Sequence, residues 1–289
     1  LSGLTVRGIS VHGGRILTHA TPYPVASENL PPLDRAAGSY RLRFGATPGD
    51  LAAVQRLRFE VFNRELGEGF AESWITGRDA DPWDEIFHHI IIEHVPSATV
   101  VGSYRLQTGL MAEQFGGFYS ESEFDLRRLP REVLQNAVEI GRACVHAEHR
   151  NGRVIHLLWR GIAAYLLWNR QRYLFGCCSL PTTDAGIGRS VWQQLKREGF
   201  ISTHHSVGPQ REQAVAVRSG GLRDISRSDL PPLFQSYLNL GAEVCGPPAL
   251  DAEFGTIDFF VLLDLERLEE RTRRTFFRDL PLRVEERIA

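Results

Sequence analysis

The stretch from Glu139 to Tyr165, EIGRACVHAEHRNGRVIHLLWRGIAAY, constrains the fold most, because it sets a strand, a basic turn and an amphipathic helix in immediate succession. Val138, Ile140, Ala143 and Val145 are the apolar positions of the strand, and Gly141 interrupts them where a bulge or a close backbone approach is expected. Ile155, Leu158, Trp159, Ile162, Ala163 and Leu166 then recur at the spacing of one helical face. Between strand and helix lies His149-Arg150-Asn151-Gly152-Arg153. A helix N-terminus entered through such a turn presents unpaired N–H groups and the positive end of the helix dipole, which together favour a phosphate. The same residues also suit a plain basic loop between two packed elements.

A chain of 289 residues, 43% hydrophobic, can bury one full core. Its formal net charge of −2 leaves no global electrostatic footprint for nucleic acid. Charge is uneven locally: from His149 to Thr183 there are arginines at 150, 153, 160, 170 and 172 and no Asp or Glu. An acidic partner or a phosphorylated ligand could dock there, and a basic surface with no partner is the other reading. The cysteines at 144, 177, 178 and 245 lack zinc-site spacing, so no metal is expected and a reduced, cytoplasmic protein is the simplest account. No apolar run approaches the roughly 18 to 20 residues of a membrane helix, so any lipid contact, such as one on the inner membrane face, would be peripheral.

Residues 1–38, rich in Gly, Pro, Ser and Thr, read as a flexible N-terminal arm outside the core, and 39–289 as one domain. YRLRF alternates as a first strand, and Thr47-Pro48 opens a helix. FHHIIIEHV and TVVGSYRLQ are two further strands about a short turn, with later strands at 137–146, 172–178, 241–246 and 256–264. Helices are predicted at 153–170, 187–198, 229–240 and 265–277. This order indicates an α+β architecture, a sheet flanked by helices.

Opposite charges recur in strand-like or helix-edge settings: Arg58, the triplet Asp79-x-Asp81-x-x-Asp84, Arg105, and Glu139-x-x-Arg142. Such groups are costly to bury unless paired, so they are expected to meet. One reading is an ion-pair cluster that pins the first helix to the sheet. The other is a pocket for an amino acid, with arginines for its carboxylate and aspartates for its ammonium groups.

The segments LRFEVFNRELG, DADPWDEIFHHIIIE, VGSYRLQ, GFYSESEFDL, EIGRACVHAEHR, LLWRGIAAYL, YLFGCCSLP and GTIDFFVLLDLERL resemble the ornithine lipid N-acyltransferase family from about Tyr40 to Phe277. More remotely, Arg58-x-x-x-Phe62, the aspartate triplet, Arg105 and Glu139-x-x-Arg142 are similar to the acyl-homoserine lactone synthases, whose acidic triplet begins with Glu where this chain has Asp79. The resemblance implies a Gcn5-related N-acetyltransferase (GNAT) fold: a mixed central β-sheet with a splayed strand pair, flanked by helices. It implies an acyl-carrier-protein thioester, usually 3-hydroxyacyl, as donor and the α-amino group of ornithine as acceptor, giving a lyso-ornithine lipid. No permanently bound cofactor is implied, only the phosphopantetheine thioester as substrate. Other acceptors (glycine, lysine, tyrosine), a homoserine-lactone-type signal synthase, and a non-catalytic module binding a carrier protein or a membrane surface are the alternatives.

Under that resemblance Glu139 is the candidate base and the Gly141 amide the oxyanion donor, with Arg142 beside them. Arg58, Asp79, Asp81, Asp84 and Arg105 would hold the amino acid. Cys144, Val145, Arg150, Gly152 and Arg153 would hold the donor, although Arg150-Asn151-Gly152-Arg153-Val154-Ile155 is a degenerate form of the common acetyltransferase phosphate loop.

Overall fold

The computed structural model describes residues 23–215 and 225–283. Nine strands form a single sheet: β1 (Asp34–Ala37), β2 (Tyr40–Phe44), β3 (His88–His94), β4 (Thr99–Thr108), β5 (Ala137–Val145), β6 (Tyr173–Leu180), β7 (Glu243–Val244), β8 (Ala249–Asp251) and β9 (Thr256–Asp264). Their order is β1-β2-β3-β4-β5-β6-β9-β7, with β8 also on β9. Only β5 and β6 pair parallel among the described residues, which makes the sheet mixed. The helices are α1 (Pro48–Arg58), α2 (Ser73–Thr76), α3 (Gly109–Phe115), α4 (Arg131–Gln135), α5 (Arg153–Trp168), α6 (Ala185–Arg197), α7 (Pro232–Asn239) and α8 (Glu270–Phe277). None is long and apolar enough to cross a membrane.

Helix α1 starts at the predicted place. Thr47 Oγ1 accepts from the Asp50 amide while Asp50 accepts from the Thr47 amide, a capping box with Pro48 in the first turn. After Arg58 the helix continues as a wider π-helical segment, Phe59–Glu65. Helix α5 packs its apolar side on one face of the sheet, against Ile90, Ile92, Tyr104, Leu106, Val138 and Ile140. The opposite face carries a second apolar cluster, in which Phe124, Ala137, Phe175 and Phe260 pack together.

Residues 1–22 of the expected arm lie outside the described residues. Over 23–38 the structure corrects the expectation: these residues belong to the domain. Strand β1 extends the sheet beside β2, Val25 is buried, and Tyr23 Oη hydrogen-bonds His89 Nδ1 at 2.9 Å. The reason is polar satisfaction. His88 and His89, neighbours on β3 with rings on opposite faces, are both fully buried, and His88 Nε2 meets the Val25 carbonyl at 2.6 Å and Nδ1 the Tyr165 hydroxyl at 2.8 Å. Burial pulls the His88 pKa down to about 4, so it is a neutral core residue at pH 7.

Candidate active site

Strands β5 and β6 stay in register only for Ala137↔Tyr173, Val138↔Leu174 and Glu139↔Phe175, although β5 runs on to Val145 and β6 to Leu180. Beyond that point they part. The opening is a cavity of about 800 Å³ that reaches both faces of the sheet. Leu158 of α5 and Leu233, Phe234 and Tyr237 of α7 line one side; Phe62, Arg105, Tyr119, Arg142 and Phe254 line the other. Arg150, Asn151 and Gly152, at the α5 N-terminus, complete the wall.

The interruption in β5 falls one residue later than expected. Gly141 keeps Arg105 as its partner on β4, whereas Ser103 pairs Cys144, so Arg142 and Ala143 together oppose Tyr104. Arg142 takes the left-handed conformation, φ 50°. The backbone irregularity therefore lies at Arg142-Ala143, both of which line the cavity, while Gly141 lines it from within the ladder.

Glu139 pairs with neither Arg105 nor Arg142. Its Oε1 accepts from the Ser120 amide (2.7 Å) and Ser120 Oγ (2.6 Å), and its Oε2 from the Tyr119 amide and Gln107 Nε2, both at 2.9 Å. Burial pushes its pKa up, and those donors work against the shift. Glu139 does not line the cavity; it stands one layer behind, holding the turn that carries Tyr119.

The remaining charges meet as a closed network. Arg58 is fully buried, with Nη1 2.7 Å from Asp84 Oδ1 and Nε 3.0 Å from Asp79 Oδ1. Arg105 Nη1 lies 2.6 Å from Asp81 Oδ2 and 3.2 Å from Asp84 Oδ1; Arg142 reaches Asp79 and Asp81, each at 3.3 Å. Burial opposes ionisation of Asp81 and Asp84, yet Arg105 and Arg58 respectively hold their carboxyls below the usual range. Of these groups only Arg105 and Arg142 line the cavity. The cluster pins α1 and the Asp79–Asp84 loop to β4 and β5, and Arg142 also stacks 4.0 Å from the Phe254 ring centroid.

Of the candidate donor residues, Cys144, Val145, Arg150 and Gly152 line the cavity and Arg153 does not. Cys144 is buried, which raises its thiol to about 12 and makes it a packing residue. Two arginines of the arginine-rich segment are compensated in space by acids from elsewhere: Arg150 Nη1 meets Glu65 Oε1 at 2.5 Å, and Arg172 meets Asp264 at 2.8 Å and Glu266 at 2.9 Å.

A second acidic group was missed in the sequence. Glu123, Asp251 and Asp258 each offer a carboxylate oxygen within 4.8 Å of the others, and all three line the cavity. Glu123 and Asp258 are each only 3% exposed, and no arginine among the described residues is within ion-pairing distance of them. Burial, then Asp258 and Asp251, push Glu123 well above the usual carboxyl range; burial raises Asp258 to about 6. Its signal in the sequence is the Asp within the otherwise apolar IDFFVLL. A raised folded-state pKa contributes stability that is complete below the unfolded value near 4 and lost as pH rises through 6. Asp258→Asn is therefore expected to unfold at higher temperature than the wild type at pH 7.5, by an amount worth about 3 kcal/mol that shrinks toward pH 4. Calorimetric scans across that range check it, and a difference independent of pH would refute it.

Residues 57–160 match the model of the acetyltransferase (GNAT) domain. The chain is 34% identical over 249 residues to the L-ornithine N(alpha)-acyltransferase of Brucella abortus, covering 81% of this chain and 87% of that one. It is 32% identical over 248 residues to the protein of the same name from Rhizobium meliloti, covering 79% and 81%. The AHL synthase LasI aligns over 85% of this chain and 98% of its own at 13% identity and a TM-score of 0.45.

Proposed function

Because this chain belongs to the L-ornithine N(alpha)-acyltransferase family, we propose that it transfers a 3-hydroxyacyl group from acyl carrier protein to the α-amino group of ornithine. It is an N-acyltransferase that takes an acyl donor and an amino acid acceptor. The observation that carries the finer reading is the parting of β5 and β6 after Glu139↔Phe175, which opens the cavity to both faces. The side lined by α5 and α7 is apolar enough for an acyl chain, and the α5 N-terminus beside it offers free amides for the phosphate of a pantetheine arm. The opposite, polar side would receive the amino acid. Attack of the neutral amine on the thioester carbonyl forms the C–N bond; the C–S bond then breaks, and the thiol leaves with a proton. The irregular backbone at Arg142-Ala143 is the source of an oxyanion donor, in place of the Gly141 amide. Arg105 and Arg142 would orient the amino acid, with Arg58 and the three aspartates bracing them.

Glu139 would take the amine's proton at one remove. Ser120 Oγ donates to it, so a proton reaching that hydroxyl can be passed on as the hydroxyl's own proton moves to the carboxylate. Ser120→Ala should then lower kcat by about 10²-fold while thermal stability falls only slightly. Glu139→Gln should lower both, since an amide NH₂ would face N–H donors. Full turnover in Ser120→Ala would leave Glu139 a purely structural residue.

Because Glu65 already holds Arg150, carrier-protein docking through the arginines should be modest: Arg150→Ala with Arg153→Ala should raise KM for the carrier protein several-fold at low salt and hardly at all at high salt. Incubating the purified chain with 3-hydroxyacyl carrier protein or the matching coenzyme A ester and ornithine, with mass detection of N-acylornithine, tests the whole reading. Product from coenzyme A alone would overturn the donor, and no product from either would overturn the reaction.

A further inference from the structure

Every other buried carboxylate at this centre is answered by a donor set. Asp79, Asp81 and Asp84 face Arg58, Arg105 and Arg142, and Glu139 takes four hydrogen bonds. Glu123 and Asp258 are the exception. Glu123 Oε2 and Asp258 Oδ1 are buried and accept from no donor among the described residues. What surrounds them is acidic or weakly polar: Asp251, Cys177, Ser179 and Thr256, whose hydroxyl lies 3.1 Å from Asp258 Oδ2. They belong to the cavity wall on the side away from the apolar α7 lining, so a ligand in the cavity can reach them.

We propose that Glu123 and Asp258, with Asp251 beside them, are the pocket for the side-chain ammonium of a diamino acid acceptor. This rests on the amine-acylation reading above and adds how the acceptor is chosen. Two buried carboxyls with an empty acceptor position each, and no cation paired with them among the described residues, are complementary to a ligand that brings both charge and N–H donors. A primary ammonium does both. The pocket suits the amine that stays charged and not the one that reacts: uncompensated carboxylates stabilise the protonated form of any amine they hold, which would quench a nucleophile. The α-amine must therefore lie elsewhere, toward β5, with the side chain pointing away from it to β9. Without ligand, burial pushes both carboxyls toward the neutral form, and an entering ammonium reverses that push. An acceptor lacking the terminal amine would leave them unanswered, and sites built around a buried polar partner discriminate strongly against analogues that lack it.

The test compares ornithine with norvaline, which has the same side-chain carbons and no terminal amine. Binding is measured by titration calorimetry on the full chain, and acylation in parallel. The wild type is expected to bind ornithine about 30-fold or more tightly than norvaline, and Glu123→Gln/Asp258→Asn to reduce that ratio to about threefold or less. Both substitutions are near-isosteric, and a thermal midpoint at or above that of the wild type certifies the fold. A wild type without preference, or a variant that keeps it, overturns the pocket. Preferential ornithine binding with no acylation by any thioester would sink the transfer reading and leave the pocket standing; equal acylation of both amino acids would do the reverse.

Discussion

Replacing Arg58 with Met is expected to destabilise the protein by about 3 to 5 kcal/mol, because Asp79 and Asp84 would stay buried with their principal cation gone. For a domain of this size that is a fall of roughly 10 °C in the unfolding midpoint. Arg41→Ala is the contrast: the Arg41–Asp34 pair is exposed, and its loss should leave the unfolding midpoint almost unchanged. Arg58→Met should also alter the acid limb of stability. Asp84 has a depressed pKa, so its contribution is present above the unfolded value near 4 and lost as pH falls below it. Without Arg58 that loss should be smaller and be complete at a higher pH. Denaturant titrations of both variants between pH 3 and 8 decide the matter; similar costs for Arg58→Met and Arg41→Ala would show that the network does not hold α1 to the sheet.

The second large effect separates activity from stability at the parting of the strands. A side chain at Gly141 would meet nothing within 4 Å and would project into the cavity. Gly141→Val should therefore leave the unfolding midpoint nearly unchanged and lower kcat/KM by about 10²-fold, since displacing a reacting group by about 1 Å costs that much. Across the gap, a Cβ on Gly176 would lie 2.3 Å from the Ile140 carbonyl oxygen, so Gly176→Ala has to shift backbone and should lose stability as well as activity. If Gly141→Val turns over normally, the transfer happens elsewhere in the molecule.

Much of this could be read from the chain itself, and the parts that could not share a cause. The strand–turn–helix unit is local, and β5 and α5 lie where the apolar spacing put them. The meeting of Arg58, Arg105 and Arg142 with the three aspartates followed from the cost of burying any of them alone. The bulge was misplaced by one residue because register is fixed by β4, not by the glycine in β5. Glu139 looked like an ion-pair partner because its real donors come from the turn at 119–120, which nothing in the EIGR segment announces. Glu123, Asp251 and Asp258 come from separate segments, so their proximity has no sequence spacing at all. Tyr23 and Val25 read as part of an outlying arm because their Pro- and Gly-rich surroundings lack periodicity; the demand for them comes from the histidines they cover.

A gap that runs through a sheet differs from a groove lying on it. Under the proposed reaction, tail and headgroup of the finished amphiphile would occupy opposite sides of one β-layer, joined by the new amide in the doorway. Such a molecule cannot simply lift off: either the headgroup follows the tail through the aperture, or α7 swings aside. Dissociation, slowing as the tail lengthens, would then set the pace of the cycle.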